Sequence, residues 1–445
     1  MTASETGVDT QVPAAVVARG LTPLARIKAI LGGSAGNLVE WYDWFAYSSF
    51  TLYFAKHFFP DDDETAQLMK SAAIFAVGFL ARPVGAWLMG LYADRAGRRT
   101  ALSVSVAMMC LGSFAIAILP DYSQIGAAAP LCLLLARLVQ GLSIGGEYGA
   151  SATYMSEMAG RSRRGFWSSF QFVTLIMGQL LALAVLIVLQ HTMAQADLEA
   201  WGWRIPFAIG GVLAIVVFWI RTGLDESASF LAAKEAGAPR ARTMLLFLDH
   251  PRETWMIFGL TAGGSLAFYA YTTYMQKFLV NTSGFTKDAA TAITAGALIV
   301  YMFAQPLFGW ISDHVGRRTT LTFAFAAGAL ATYPIMTALA ATDSGVVAFL
   351  LATSLVLILS GYSAVSAVVK AELFPAHVRA LGVALPYATA NAIFGGTAEY
   401  VALWFKEEAK MESGFYIYVS VVMVVALLIA LRLRDTNRHS RILED

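Results

Sequence analysis

The sequence predicts an all-α membrane protein of about twelve transmembrane helices, arranged as two pseudo-symmetric six-helix halves. Three observations carry this: the chain is poor in charge, apolar segments of bilayer-spanning length recur along it, and one charged motif appears twice. Of the 445 residues, 58% are hydrophobic and 14% are charged, and mean hydropathy is +0.61. A soluble chain carries about 25% charged residues, so the missing charge points to a lipid surrounding. The net charge of +1 leaves no basic surplus for nucleic acid. Cys110 and Cys132 lie in apolar stretches, where thiols pack rather than build a disulfide framework.

A helix needs about 20 apolar residues to cross the hydrocarbon core. Such segments fall near 28–58, 68–92, 100–120, 128–157, 165–191 and 203–222, and again near 253–280, 289–312, 319–340, 346–372, 379–405 and 413–433. The polar residues 1–27 lack the basic-then-apolar order of a cleaved signal and read as a cytoplasmic tail. Residues 28–222 form one bundle and 252–433 the other. The polar stretch 223–251 connects them, and 434–445 close the chain as a second tail. Basic residues cluster after the second, fourth and eighth spans, in the connector and at the C-terminus, whereas the first loop carries Asp61, Asp62, Asp63 and Glu64. That bias places both termini in the cytoplasm, as an even number of spans requires.

The repeated motif is Gly90-Leu-Tyr-Ala-Asp94-Arg95-Ala-Gly97-Arg98-Arg99, which returns as Gly309-Trp-Ile-Ser-Asp313-His314-Val-Gly316-Arg317-Arg318, 219 residues later. Gly97 and Gly316 permit a tight turn between spans. Asp94 and Asp313 are placed to meet helix N-termini or arginines of the neighbouring bundle, contacts that would hold the cytoplasmic side closed. The plainer reading is that the arginines only fix topology. A second echo pairs Glu157 and Arg164 with Glu372 and Arg379, 215 residues on.

Ionisable residues inside spans are costly, about 2.5–3.5 kcal/mol each at a helix centre, so each is expected to face a cavity or a partner. Glu40 and Asp43 share one face of the first span. Arg82 sits beside Pro83 in the second, and Arg137 lies in the fourth. These four make up a neutral cluster in which protonating one carboxylate frees an arginine for an anionic ligand. Burial and a nearby arginine act on such a carboxylate in opposite senses. A static ion network that merely orients helices is the alternative. Lys277 lies toward the outer end of the seventh span, as a ligand or as a snorkelling lysine. Tyr47, Gln171, Gln179 and Asn391 offer neutral hydrogen bonds, and Glu399 shares the eleventh span with Asn391. Three basic side chains, Arg82, Arg137 and Lys277, suit a dianion better than a zwitterion.

No G-x-x-x-x-G-K-[ST] motif occurs, the six histidines show no metal-ligand spacing, and no nucleophile–base set is visible. The expectation is a chain that is no enzyme, with no cofactor, no metal and no catalytic residue.

The doubled hairpin resembles the signature of the major facilitator superfamily. Asn37-Leu-Val-Glu40-Trp-Tyr-Asp43, Phe79-Leu-Ala-Arg82-Pro83, Gly145-Gly-Glu147-Tyr148 and Trp201-Gly-Trp-Arg204-Ile-Pro206 resemble its metabolite:proton symporter branch. Ser169–Leu175, Thr273–Thr282, Lys370–Pro375 and Asn391–Tyr400 are similar to that branch's 2-oxoglutarate permeases. Trp44 and Trp167 depart from the pattern and bear on fine selectivity. The resemblance implies the major facilitator fold and proton-coupled uptake of 2-oxoglutarate by rocker-type alternating access at a midplane site. It implies one substrate carboxylate on Arg82 and one on Lys277, with Tyr47, Gln171 and Asn391 assisting and Glu40, Asp43 and Arg137 coupling protons. The cytoplasmic gate would comprise Asp94, Arg98, Arg99, Glu157, Arg164, Asp313, Arg317, Arg318, Glu372 and Arg379. The partners are then a small carboxylate, protons and the bilayer of a bacterial inner membrane, with one chain working as a monomer. Symport of citrate, another dicarboxylate or a proline/betaine-like osmolyte is the rival, and a non-transporting sensor a more distant one.

Overall fold

The computed structural model describes residues 23–60, 63–96, 98–143, 152–153, 155–156, 161–222 and 249–442, with backbone alone for 23–36, 90–91, 93–96, 98–102, 161, 220–222 and 376–377. The first half holds α1 (Pro23–Phe58), α2 (Glu64–Ala96), α3 (Arg98–Ile118), α4 (Ala128–Ser143), α5 (Phe170–Thr192) and α6 (Ile205–Thr222). The second holds α7 (Pro251–Phe268), α8 (Lys287–Val315), α9 (Arg317–Ala341), α10 (Gly345–Leu373), α11 (Ala376–Ala390) and α12 (Ser413–Arg432). Among the described residues, seven helices are long and apolar enough to cross a membrane on length and composition alone. Side chains such as Leu111, Ile118, Phe303 and Leu330 point outward and stay exposed, as expected of a lipid-facing surface.

The helices depart from the expected boundaries for physical reasons. α2 begins four residues early because the Asp63 carboxylate accepts from the amides of Thr65 and Ala66, capping its first turn. α7 and α11 are not single α-helices. A π segment at Tyr269–Thr273 leads α7 into Met275–Asn281, and one at Asn391–Gly395 leads α11 into Ala398–Glu407. Such segments locally re-aim side chains and gather at functional sites.

Packing repeats between halves. α1 packs on α5, α2 on α4, and α3 on α6; correspondingly α7 packs on α11, α8 on α10, and α9 on α12. The halves meet along α5–α8 and along α2 with the α11 continuation. Close approach at the first seam depends on two glycines. A Cβ on Gly165 would lie 2.5 Å from Ser312 Oγ, and one on Gly309 would lie 2.6 Å from the Gly165 carbonyl oxygen. Gly316 turns the chain between α8 and α9 at φ 93°, a conformation that side chains with a Cβ resist.

Candidate functional site

The buried charge of the first half is gathered around Asp43. Its carboxylate accepts from Ser113 Oγ and from Gln140 Nε2 at 2.6 Å, and Arg137 Nη1 lies 3.7 Å away. Arg137 also donates to Gln140 Oε1 at 2.8 Å. Helices α1, α3 and α4 thus meet in one hydrogen-bonded network. The Arg137 guanidinium lies over the rings of Trp44 (3.9 Å) and Tyr47 (4.4 Å). Tyr47 therefore contributes its ring face, because its hydroxyl is taken up by Ser71 of α2. This corrects the expectation of a Tyr47 hydroxyl free for a ligand.

Arg82 is held differently. It is buried, yet its Nε and Nη2 find no acceptor among the described residues. Its guanidinium sits 4.1 Å from the Phe79 ring, 4.4 Å from Trp44 and 4.8 Å from Trp41. An aromatic cage of this kind stabilises a cation without spending its N–H groups. The Trp44 indole N–H and Arg137 Nε and Nη2 are likewise buried without an acceptor among the described residues. Tyr269 belongs to the first π segment, and its hydroxyl is within hydrogen-bonding reach of Asn391 and electrostatic reach of Arg82 and Glu40. Asn391 opens the second π segment, and Gly395 brings that segment against the Tyr269 ring, where an added Cβ would meet it at 2.8 Å. The two π segments and α2 thus present several buried donors to one place. Such a set suits a ligand rich in acceptors.

Lys277 is fully buried, which overturns the snorkelling alternative. Its ammonium lies 2.8 Å from each Glu399 oxygen and 2.6 Å from Ser48 Oγ. Ser48 comes from α1, so the cluster spans the two halves. Ser48 also lines a narrow polar cleft between them, with Gln179, Thr272, Gln276 and Thr294. Gln171 is buried on α5, one turn before Thr174, which accepts from Asn37 of α1.

The end bearing the repeated hairpin is tied across the seam. Asp313 accepts from the amides of Gly165 (2.8 Å) and Phe166 (3.0 Å) at the turn leading into α5, and pairs with Arg317 at 2.8 Å. Glu372 lies 3.8 Å from Arg317 and 3.9 Å from Arg164. Residues beyond α12 complete this end. Thr436 donates to Glu372 at 2.6 Å, Arg164 to Ser440 at 3.2 Å, and Arg379 to the Arg441 carbonyl at 3.0 Å. Arg318 donates to the Leu431 carbonyl. The side chains of Asp94, Arg98 and Arg99, and all of Glu157, lie outside the described residues. At the opposite end Glu199, between α5 and α6, bridges Lys56 of α1 (2.5 Å) and Lys287 of α8 (3.3 Å). Burial raises the Glu199 pKa, but the Lys56 and Gln195 hydrogen bonds and the Lys287 charge outweigh it and hold the carboxyl at about 2.

Sequence reasoning therefore placed Asp43 with Arg137 and found Arg82. It passed over Ser113, Gln140, Trp44 as a ring partner, Tyr269, Ser48 and the role of Glu399 as the Lys277 partner. The signal available for Glu399 was its cost: a carboxylate in an apolar span needs a counter-charge.

A family model described as "Sugar (and other) transporter" matches residues 29–254 and 245–438. The chain is 53% identical over 419 residues to the alpha-ketoglutarate permease of Escherichia coli K12, covering 94% of this chain and 96% of that one. It is 35% identical to a citrate-proton symporter of Klebsiella pneumoniae, with 84% of each chain covered. It is 29% identical to the proline/betaine transporter of Salmonella typhimurium LT2, over 92% of this chain and 83% of that one. A structure of the major facilitator superfamily proton:xylose symporter XylE superposes with a TM-score of 0.73 at 18% identity, covering 92% of this chain and 95% of that one. The family model spans nearly the whole chain and the fold superposes on that of the solved symporter: the chain belongs to the sugar (and other) transporter family of the major facilitator superfamily.

Proposed function

We propose that the chain imports 2-oxoglutarate together with protons by rocker-type alternating access. The observation that carries this is Arg82, a caged cation with unused N–H groups, close to further unused donors on Trp44 and Arg137. A small dicarboxylate supplies the acceptors such a set lacks, and the relative named for alpha-ketoglutarate matches nearly the whole chain. Asp43 is the proton site that governs conformation. A proton there removes the charge that orders Arg137, Gln140 and Ser113, so the two access states respond differently to pH. Glu40, on the same helical face, supports it.

In this reading the bundles span 28–222 and 252–433, the connector is 223–251, and both termini face the cytoplasm of a bacterium with the chain in its inner membrane. The hairpin end is then the cytoplasmic gate and the Glu199 end the outer one. Ion pairs bridge the halves at both ends, which fits an occluded intermediate. One chain is sufficient for transport, and it catalyses no chemical conversion.

Protein reconstituted in liposomes should accumulate labelled 2-oxoglutarate faster under an inward proton gradient. Uptake indifferent to that gradient would exclude coupling. Citrate is the second reading, favoured by the citrate-proton symporter match. Equal competition by citrate and 2-oxoglutarate for one uptake signal would favour it.

A further inference from the structure

The Lys277–Glu399 pair presents a difficulty for a dicarboxylate site. An ammonium has three N–H bonds. Nζ donates to Ser48 Oγ and to Glu399 Oε2, and Glu399 Oε1 also lies 2.8 Å away, so the ammonium is held by these two residues. A substrate carboxylate must therefore compete with the ionised Glu399 for Lys277.

Charge balance leads to the same place. Asp43 and Arg137 cancel, as do Lys277 and Glu399. Arg82, in the same half as Asp43 and Arg137, has no carboxylate partner among the described residues. A dianion brought beside Arg82 carries one negative charge more than that guanidinium cancels, in a site that excludes water. Buried unpaired charge is strongly disfavoured. One proton removes it.

We propose that Glu399 takes up that proton when substrate binds, and that the released Lys277 ammonium holds the second substrate carboxylate. The proposal rests on the dicarboxylate reading above. The proton enters from solution, forms an O–H bond on a Glu399 oxygen and leaves again on the other side of the membrane with the substrate. The protonated acid keeps Ser48 as a hydrogen-bond partner, 3.2 Å from Oε2. Ser48 also lines the polar cleft, so the exchange of partners happens one side chain away from it. Asp43 keeps a separate task, because its partners lie on α3 and α4.

The surroundings of Glu399 single out Lys277 as its counter-charge. Tyr47 of α1 and Tyr274 beside Lys277 are the other titratable groups within electrostatic reach of it. Its helix also packs on α2, which carries Glu64, Lys70 and Arg82, on the first π segment with Tyr269 and Tyr271, and on α12 with Tyr416. Glu412, at the start of α12, already accepts from Thr282. None of these forms an ion pair with Glu399 among the described residues.

The test is 2-oxoglutarate affinity between pH 6 and 8, measured by calorimetry on protein in nanodiscs. Wild-type affinity should rise as pH falls, approaching tenfold per pH unit for each proton taken up. In Glu399→Gln the slope should drop by one proton, and binding at pH 8 should be at least about tenfold tighter, since Lys277 is released without a proton. Glu399→Asp should restore the slope. A Glu399→Gln protein that binds more weakly at pH 8 with the wild-type slope overturns the proposal. Should the single variant fail to fold, Lys277→Met with Glu399→Gln removes the pair without stranding a charge. That double variant should bind with the same lost proton but more weakly, and a retained wild-type slope there is equally fatal. Exchange of labelled 2-oxoglutarate by the wild type separates the two readings. Exchange with an unchanged slope in Glu399→Gln defeats this inference alone, whereas no exchange at all defeats the substrate reading and this inference with it.

Discussion

Arg82 and Lys277 are both buried cations at the seam between the halves, yet they are held in opposite ways. Arg82 rests on three aromatic rings with its Nε and Nη2 unused. Lys277 is bound by the Glu399 carboxylate and Ser48. Aromatic faces stabilise charge while leaving hydrogen-bond capacity open; a carboxylate stabilises it by consuming that capacity. The difference separates a residue ready for an anion from one that must first be released.

Breaking the ready cation should have the largest effect. Arg82→Ala is expected to weaken 2-oxoglutarate binding by more than about 100-fold, since charged hydrogen bonds are worth roughly 1.5–3 kcal/mol each. Arg82→Lys should recover only a small part, because a single ammonium cannot reproduce the planar fork. Calorimetry on both variants checks this, and near-wild-type affinity in Arg82→Ala would place the substrate elsewhere.

Asp43→Asn comes next, and it acts on transport rather than affinity. The amide can still bond Ser113 and Gln140, so the network survives but its charge does not change with pH. Accumulation of 2-oxoglutarate should fall to what the Glu399 proton alone can drive, while exchange of internal for external substrate persists. Concentrative uptake at the wild-type level by Asp43→Asn would remove this residue from the proton path.

Lys277→Ser should be milder and selective. It should weaken dicarboxylates about tenfold while sparing monocarboxylates, which need only Arg82. Equal losses for both classes would mean that Lys277 serves packing alone.

These residues also show what was readable before the structure. The all-α class, the span count and the halves follow from hydropathy and a motif repeated at a constant offset, both of which are linear properties of the chain. Asp43, Arg137 and Arg82 stood out because charge in an apolar helix is expensive wherever it falls. Partners were not readable in the same way. Glu399 lies 122 residues from Lys277 and Ser48 lies 229, and nothing local links them. The π segments were invisible because hydropathy reports the length of an apolar run and not its hydrogen-bond register. Thr436, Ser440 and Arg441 looked like a polar tail, and only the fold brings them onto Glu372, Arg164 and Arg379.

The two ends of the molecule extend the comparison of open and committed charge. At the hairpin end Asp313, Arg317 and Glu372 are buried, and Asp313 also binds two backbone amides. At the other end Lys56 is 47% exposed and its bridge to Glu199 faces solvent in part. Glu199→Gln should therefore have the smallest effect, since exposed pairs are worth about 0–1 kcal/mol and are screened by salt. Its pH signature is specific. Glu199 is held at about 2 against an ordinary value of 4.5, so its contribution is complete above the ordinary value and is lost only as pH falls toward 2. Between pH 6 and 8 the ratio of exchange rates for wild type and Glu199→Gln should stay constant, and it should approach one at high salt. A ratio that changes across that range would mean the outer bridge titrates with the transport cycle. A constant ratio leaves the pH dependence to the carboxylates buried between the halves.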